Sequence, residues 1–351
     1  MTKLRSVPVK LGRYTIRDLL GRGGMADVYL ATYRDDADLE HRVALKVPSP
    51  TSERERREFL AALVEEARLG AAVRHPLVVP VLEVVGDDEG PAALALGYVD
   101  GQSLARLVSR LRCQGGHLPA NVALAIARDA LVALDAVHRA ETKAGLPLGI
   151  VHRDVSPGNL LVGIDGLTRL ADFGIACATA GHAPPRSTEV RGKIGYMAPE
   201  RLRKQEHDAR SDLFSLGVVL FELLVGRKLH TGKDDADLAR RVLLSPVPRP
   251  SSERPELRPF DAVVGRALMR DPTRRHGSAA EMLEALEEAA ERCHGIANPL
   301  QVACALATIT AEEPERELDE DEAPTLPHSR TVLRGAKAGT VERATIVHRR
   351  S

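Results

Sequence analysis

Apolar positions in the first hundred residues come in short alternating runs. Tyr29-Leu30-Ala31, Val43-Ala44-Leu45-Lys46-Val47, Val78 to Val85 and Leu94-Ala95-Leu96 each read as strands, and one stretch with helical spacing, Glu53 to Val73, interrupts them. That pattern predicts a small antiparallel sheet with one helix. From Leu104 to about Glu291 the period becomes helical, as in Ala120 to Arg139, Ser211 to Leu224 and Ser278 to Glu291, with a Gly/Pro-bearing segment between. The expected class is α+β in two lobes: a sheet lobe at about 12–99 and a larger helical lobe at about 100–292. Residues 1–11 read as an N-terminal extension and 293–310 as a short helical extension. Beyond Thr310 an acidic run, Glu312 to Glu322, gives way to Pro-, Thr- and Arg-containing sequence with no apolar period. Such a segment buries too little surface to offset its ordering entropy, so 311–351 is expected to be disordered. Thr331-Val332-Leu333-Arg334, Thr340-Val341-Glu342-Arg343 and, more loosely, Thr345-Ile346-Val347-His348 resemble one another but are too short for a structural repeat.

Composition narrows the partners. The 351 residues are 44% hydrophobic, enough for a sizeable core, and Lys+Arg and Asp+Glu balance at 49 each. The whole chain therefore gives no electrostatic case for binding nucleic acid or an anionic membrane. The longest apolar stretches, Leu213 to Val225 and Val302 to Ile309, are too short or interrupted to span a bilayer. Cys113, Cys177, Cys293 and Cys304 are far apart, with no Cys-x-x-Cys pair and no signal peptide, which points to a reducing cytoplasm.

Candidate chemistry begins between two strand-like runs with Gly21, Arg22, Gly23, Gly24, Met25, Ala26, Asp27 and Val28. Small residues there let backbone N–H groups approach phosphate oxygens, although a glycine-bearing hairpin alone has the same appearance. Lys46 on the next run is a cation on an otherwise apolar strand and needs an anion. Glu66 on the following helix is the candidate partner and its neighbour Glu65 is rejected, although the generally charged stretch Glu53 to Glu66 also reads as a solvated helix face. The most specific signal is Val151-His152-Arg153-Asp154-Val155-Ser156-Pro157-Gly158-Asn159, followed by Ala171-Asp172-Phe173-Gly174. Phosphoryl transfer from ATP needs Mg²⁺, which prefers oxygen ligands such as the Asp172 carboxylate and the Asn159 carbonyl. It also needs a carboxylate to orient the attacking hydroxyl and take its proton, a role suited to Asp154.

From about Gly12 to Glu291 these motifs resemble those of the bacterial eukaryotic-type (Hanks-type) serine/threonine protein kinase family. The resemblance implies a two-lobed kinase fold and the use of ATP with Mg²⁺. It implies that Val28, Ala44 and Leu161 enclose adenine, that the backbone of Gly97, Tyr98 and Val99 hydrogen-bonds it, and that Lys46 holds the α and β phosphates. Met197-Ala198-Pro199-Glu200 resembles the end of an activation segment, with Glu200 paired to Arg275, and Asp212 resembles a buried group that holds the catalytic-loop backbone. Three departures stand out. Ala26 replaces the third glycine of the loop, and Gly97 replaces an acidic residue. Ser156 stands where the family usually carries a lysine for the γ-phosphate, while Lys193 stands where it usually carries a threonine, as if the two had been exchanged. Ser156 motivates the alternative of a nucleotide-binding pseudokinase or scaffold.

Protein Ser/Thr hydroxyls are the implied substrates, with Pro157 in the catalytic loop favouring them over tyrosine. Thr179, Ser187 and Thr188 lie between Gly174 and Ala198, where a phosphate could be bound by Arg153. Arginines near Thr331, Thr340 and Thr345, and Thr325 upstream of them, make the tail a candidate for autophosphorylation and for a partner that reads phosphothreonine.

Overall fold

The structure is a computed structural model that describes residues 10–22, 26–48, 53–86, 92–172, 193–293 and 295–311. In the first lobe, β1 (Lys10–Leu11), β2 (Tyr14–Gly21), β3 (Ala26–Arg34), β4 (Glu40–Pro48), β5 (Val81–Val85) and β6 (Ala93–Gly97) form an antiparallel sheet in the order β1-β2-β3-β4-β6-β5. Alternation sets its two faces. Ala31, Val43, Leu45, Ala93 and Ala95 join one cluster, whereas Leu94, Leu96 and the partly buried Ala44 join another with Leu63 and Val79. The helix α1 (Glu53–Gly70) connects β4 to β5.

Several boundaries differ from the sequence expectation. Lys10 and Leu11 pair with Thr15 and Tyr14, and Leu11 is buried, so the sheet starts two residues before the expected lobe boundary. The helical stretch expected to reach Val73 ends at Gly70 and continues as turns, with the Val73 N–H donating to the Gly70 carbonyl at 3.2 Å. The run from Val78 to Val85 divides at Pro80, which has no N–H for a ladder. Val78 forms a parallel bridge with Leu170, and the Val79 N–H donates to Leu170 O at 2.9 Å, tying the lobes together ahead of β5.

The second lobe opens with β7 (Gly101–Ser103) and α2 (Leu104–Cys113), and is centred on α3 (Ala120–His138) and α4 (Arg210–Val225). β7 forms a small antiparallel sheet with β8 (Leu160–Gly163) and β9 (Thr168–Leu170), two strands that lie between α3 and α4 in the chain. α4 is buried from Ser211 to Leu224, which explains its predominantly apolar sequence. It stops at Gly226, whose φ of 84° is the left-handed cap that glycine adopts without penalty. Helices α5 (Asp235–Leu244), α6 (Asp261–Ala267), α7 (Ala279–Glu291) and α8 (Pro299–Ala311) complete the lobe. Asp234 and Ser278 cap α5 and α7 by accepting the backbone N–H groups of Asp237 and Glu281. α8 is more than an appendage: Val302, Leu306 and Ile309, one stripe at helical spacing, are buried in the same core as α2 and α3. Gly166, with φ 76°, lies so close to the Pro299 carbonyl that a Cβ there would collide with it. No helix among the described residues is long and apolar enough to cross a membrane.

Candidate active site

The site lies between the lobes and is built from separate strands, helices and loops. Lys46 sits opposite Val28 on β3 and Leu94 on β6, so it shares a sheet face with Val28 and with Ala44 two residues earlier. Its ammonium donates to both carboxylate oxygens of Glu66, at 3.1 and 3.2 Å, and to Asp172 Oδ1 at 3.1 Å. The Glu66 side chain is 2% exposed. Glu65 instead turns outward to Arg68, as expected of the rejected neighbour. Burial pushes the Glu66 carboxyl up to about 7; Lys46 opposes the shift, and the charges of Asp172 and Asp154 add to it. Lys46 itself is held well above the ordinary lysine value: burial lowers it, but Asp172 and Glu66 outweigh that.

The catalytic-loop backbone is fixed from beneath by Asp212 near the start of α4. Its buried carboxylate accepts the N–H groups of His152 and Arg153, both at 2.8 Å, and the His138 Nε2–H at 2.9 Å. Burial alone would raise the Asp212 carboxyl, but these donors hold it below its ordinary value. Arg153 takes φ 68° and Asp172 φ 55°, left-handed backbone that is costly for non-glycine residues and persists where the surroundings enforce it. Arg201 Nη1 donates to the Arg153 carbonyl, adding a further hold. His152 then links the halves of the site: Nδ1 accepts the Asp154 N–H at 3.3 Å, and Nε2–H donates to Ala171 O at 3.1 Å. Burial lowers its pKa, which favours the neutral ring that this division of donor and acceptor requires.

Asn159 Nδ2 donates to Asp154 O at 2.7 Å and to Asp154 Oδ2 at 2.8 Å, which orients the amide. Lys193 Nζ donates to the same Oδ2 at 2.6 Å. Burial opposes the charge on Asp172, yet Lys46, with support from Lys193 and His152, keeps its carboxyl below the ordinary value. Leu161 on β8 and Ala44 on β4 pack partly buried against the cluster that holds Leu96 and Val99. Gly97 donates its N–H to Pro80 O at 2.9 Å, so that N–H is already engaged within the sheet lobe. A Cβ on Gly97 would lie 2.7 Å from the Pro80 side chain, a steric reason for glycine there. The Tyr98 ring lies under the Arg42 guanidinium at 4.9 Å, leaving its backbone as the part suited to the expected role.

Gly21 pairs with Val28, and Ala26 with Pro48, so Gly21, Arg22 and Ala26 are the described ends of the loop that joins β2 to β3, next to the strand that carries Lys46; Gly23, Gly24 and Met25 lie outside the described residues. So do Phe173 to Gly192, with Thr179, Ser187 and Thr188, and the tail beyond Ala311. Glu200 and Arg275 meet as expected in a buried bidentate pair, both contacts at 2.7 Å. Sequence reasoning did not find His138, which has no local motif, nor Arg201. His152 was within the motif, yet its two-sided bonding needed the fold.

A lysine and glutamate joined across sheet and helix, a loop Asp and Asn, and a second Asp after β9 are the arrangement of a phosphotransferase cleft. The protein kinase domain model matches residues 14–286, and the chain belongs to the protein kinase family, in its bacterial eukaryotic-type branch. It is 35% identical over 281 residues to the serine/threonine-protein kinase PknE of Mycobacterium bovis, covering 80% of this chain and 46% of that one. It is 33% identical over 282 residues to the tyrosine-protein kinase MasK of Myxococcus xanthus, covering 79% of this chain and 43% of that one. The chain thus spans less than half the length of these curated relatives. The crystal structure of the Mycobacterium tuberculosis PknI kinase domain superposes with a TM-score of 0.60 at 29% identity, covering 82% of this chain and 100% of that one.

Proposed function

We propose that this chain is a serine/threonine protein kinase that transfers the γ-phosphoryl group of Mg-ATP to Ser and Thr hydroxyls of proteins, its own included. The observation that carries the reading is the convergence of Lys46, Glu66 and Asp172, from strand, helix and loop, beside Asp154 and Asn159. Val28, Ala44 and Leu161 enclose the adenine, the Gly97 carbonyl and the backbone of Tyr98 and Val99 hydrogen-bond it, and the loop Gly21 to Val28 covers the phosphates. Glu66 orients Lys46 toward the α and β phosphates. Asp172 and the Asn159 Oδ1 carbonyl are hard oxygen donors that fit Mg²⁺. The fit is supported by Asn159 Nδ2, whose two bonds to Asp154 leave the amide oxygen as the group able to face a cation. Bound Mg²⁺ would neutralise charge developing on the phosphates. Among the described residues no three His, Cys, Asp or Glu cluster to hold a metal, so phosphate oxygens would share the coordination.

The substrate hydroxyl oxygen bonds to the γ-phosphorus while its proton passes to Asp154. The bond from γ-phosphorus to the bridging oxygen breaks, and its electron pair leaves with ADP. Asp154 Oδ2 is occupied by Asn159 and Lys193, and Oδ1 has no partner among the described residues, so Oδ1 is the oxygen for the proton. Serine and threonine specificity rests on Pro157 and on the mycobacterial relatives. Dependence on ATP suits a cytoplasmic location. The tail reading, phosphorylation at Thr325, Thr331, Thr340 or Thr345 and recognition by a phosphothreonine-binding partner, rests on the arginines near Thr331, Thr340 and Thr345 alone.

Transfer from γ-labelled ATP to a generic protein substrate, followed by phosphoamino-acid analysis, tests the proposal. Asp154→Asn is expected to bind nucleotide normally and lose about 10² to 10⁴ in rate, whereas Asp172→Asn weakens Mg-ATP binding itself. Equal turnover in wild type and both variants removes the assignment. Nucleotide binding without transfer in the wild type selects the pseudokinase alternative raised by Ser156.

A further inference from the structure

We infer that Lys193 is a catalytic residue, the cation that reaches the transferring phosphoryl group from the hydroxyl side of the cleft. The inference rests on the kinase reading above and adds a component to that site. A phosphoryl group in flight carries negative charge on its oxygens, and fixed cations aimed at that charge are among the largest contributions to catalysis. Lys46 cannot serve both sides: its ammonium is engaged by Glu66 and Asp172 at 3.1 to 3.2 Å. From His152 to Asn159 the one side chain that always carries positive charge is that of Arg153, whose Nε is buried. Ser156, two residues past the base, is buried and uncharged.

Among the described residues, Lys193 is the cation hydrogen-bonded to Asp154, at 2.6 Å. Its side chain is 48% exposed, so the head can adjust to a substrate, while its backbone is anchored. Ile194 is buried, the Tyr196 N–H donates to Lys193 O at 3.0 Å, and the Tyr196 hydroxyl donates to Glu222 Oε2 at 2.8 Å. Glu222 is held in turn by Arg112 at 3.1 Å and by the Leu229 N–H at 3.1 Å. A long flexible cation on this fixed base ends beside the carboxylate that takes the hydroxyl proton and the amide proposed for Mg²⁺. As the new oxygen–phosphorus bond forms, the proton moves to Asp154 Oδ1 and the electron pair of the broken bond leaves with ADP. Lys193 keeps all its protons and stabilises the charge.

The competing idea is a simple ion pair that masks the base, and kinetics separate the two. Lys193→Met is expected to lower kcat by about 10² to 10³, with nucleotide affinity and melting temperature near wild type; Lys193→Arg should recover a substantial part of that rate. A methionine variant within threefold of wild type, or faster, overturns the inference, because removing a mask raises the rate. An arginine variant no faster than the methionine one overturns a role carried by charge. Absence of transfer by the wild type would be a failure of the kinase reading itself, and is distinguishable from these results.

Discussion

Two buried ion pairs in this molecule join the same charges and differ in their electrostatic balance. Glu200 and Arg275 meet in parallel contacts of 2.7 Å, and the guanidinium also donates to the carbonyls of Met269 at 2.7 Å and Arg210 at 3.0 Å. Its Cζ lies 5.0 Å from the centroid of the Phe214 ring, and Ser211 Oγ donates to the glutamate at 2.6 Å. One charge meets one charge, with the remaining donors satisfied. Burial would raise the Glu200 carboxyl, but Arg275 and Ser211 hold it below its ordinary value. Lys46, by contrast, divides one ammonium between Glu66 and Asp172. Burial, with the charges of Asp172 and Asp154 adding to it, pushes Glu66 up rather than down despite Lys46. The first pair is complete as it stands, whereas the second shares one cation between two carboxylates.

The largest test of that contrast is Glu200→Ala, which leaves a buried guanidinium without its carboxylate. It should cost about 3–5 kcal/mol, read as a lower denaturant midpoint; a loss under 1 kcal/mol would show that the pair is not the completed contact described. Glu66→Gln should behave oppositely, with little change in denaturant midpoint at pH 7 but a fall of about 10² in transfer rate as Lys46 loses its orientation. A large stability loss with normal transfer would reverse the two roles. The smallest effect is in the pH dependence of melting. The folded Glu66 value of about 7 lies above the 4.5 of an unperturbed glutamate, so its contribution is full below 4.5 and is lost as pH rises toward 7. Glu200 is depressed, so its contribution is present above 4.5 and is lost as pH falls through its lower folded value. Difference curves of wild type against Glu66→Gln and Glu200→Gln should therefore slope in opposite directions, in those separate windows. Slopes of the same sign would dissolve the contrast.

Much of the site was legible because its chemistry restricts residue type. A lysine on an apolar strand demands an anion, and an Asp–Asn pair five residues apart followed by a second Asp has few structural explanations. Lys193 stood out through its exchange with Ser156, but its 2.6 Å contact with Asp154 joins residues 39 apart in sequence and needed the fold. His138 was unreadable for the same reason: its partner Asp212 is 74 residues away.

Local periodicity by itself determined the two lobes, the strand runs and the principal helices, and motifs with their order and resemblance marked the residues with phosphoryl-transfer chemistry. These properties depend on neighbours within a few positions, where side-chain direction repeats every two or 3.6 residues. Tertiary packing alone decided that α8 belongs to the core, because the stripe Val302, Leu306 and Ile309 has meaning only against α2 and α3. It also decided how charge is distributed. Whether a carboxylate rises or falls from its ordinary value depends on how many partners share it and how deeply it is buried. Glu66 and Glu200 are the same residue in sequence and opposite groups in the fold.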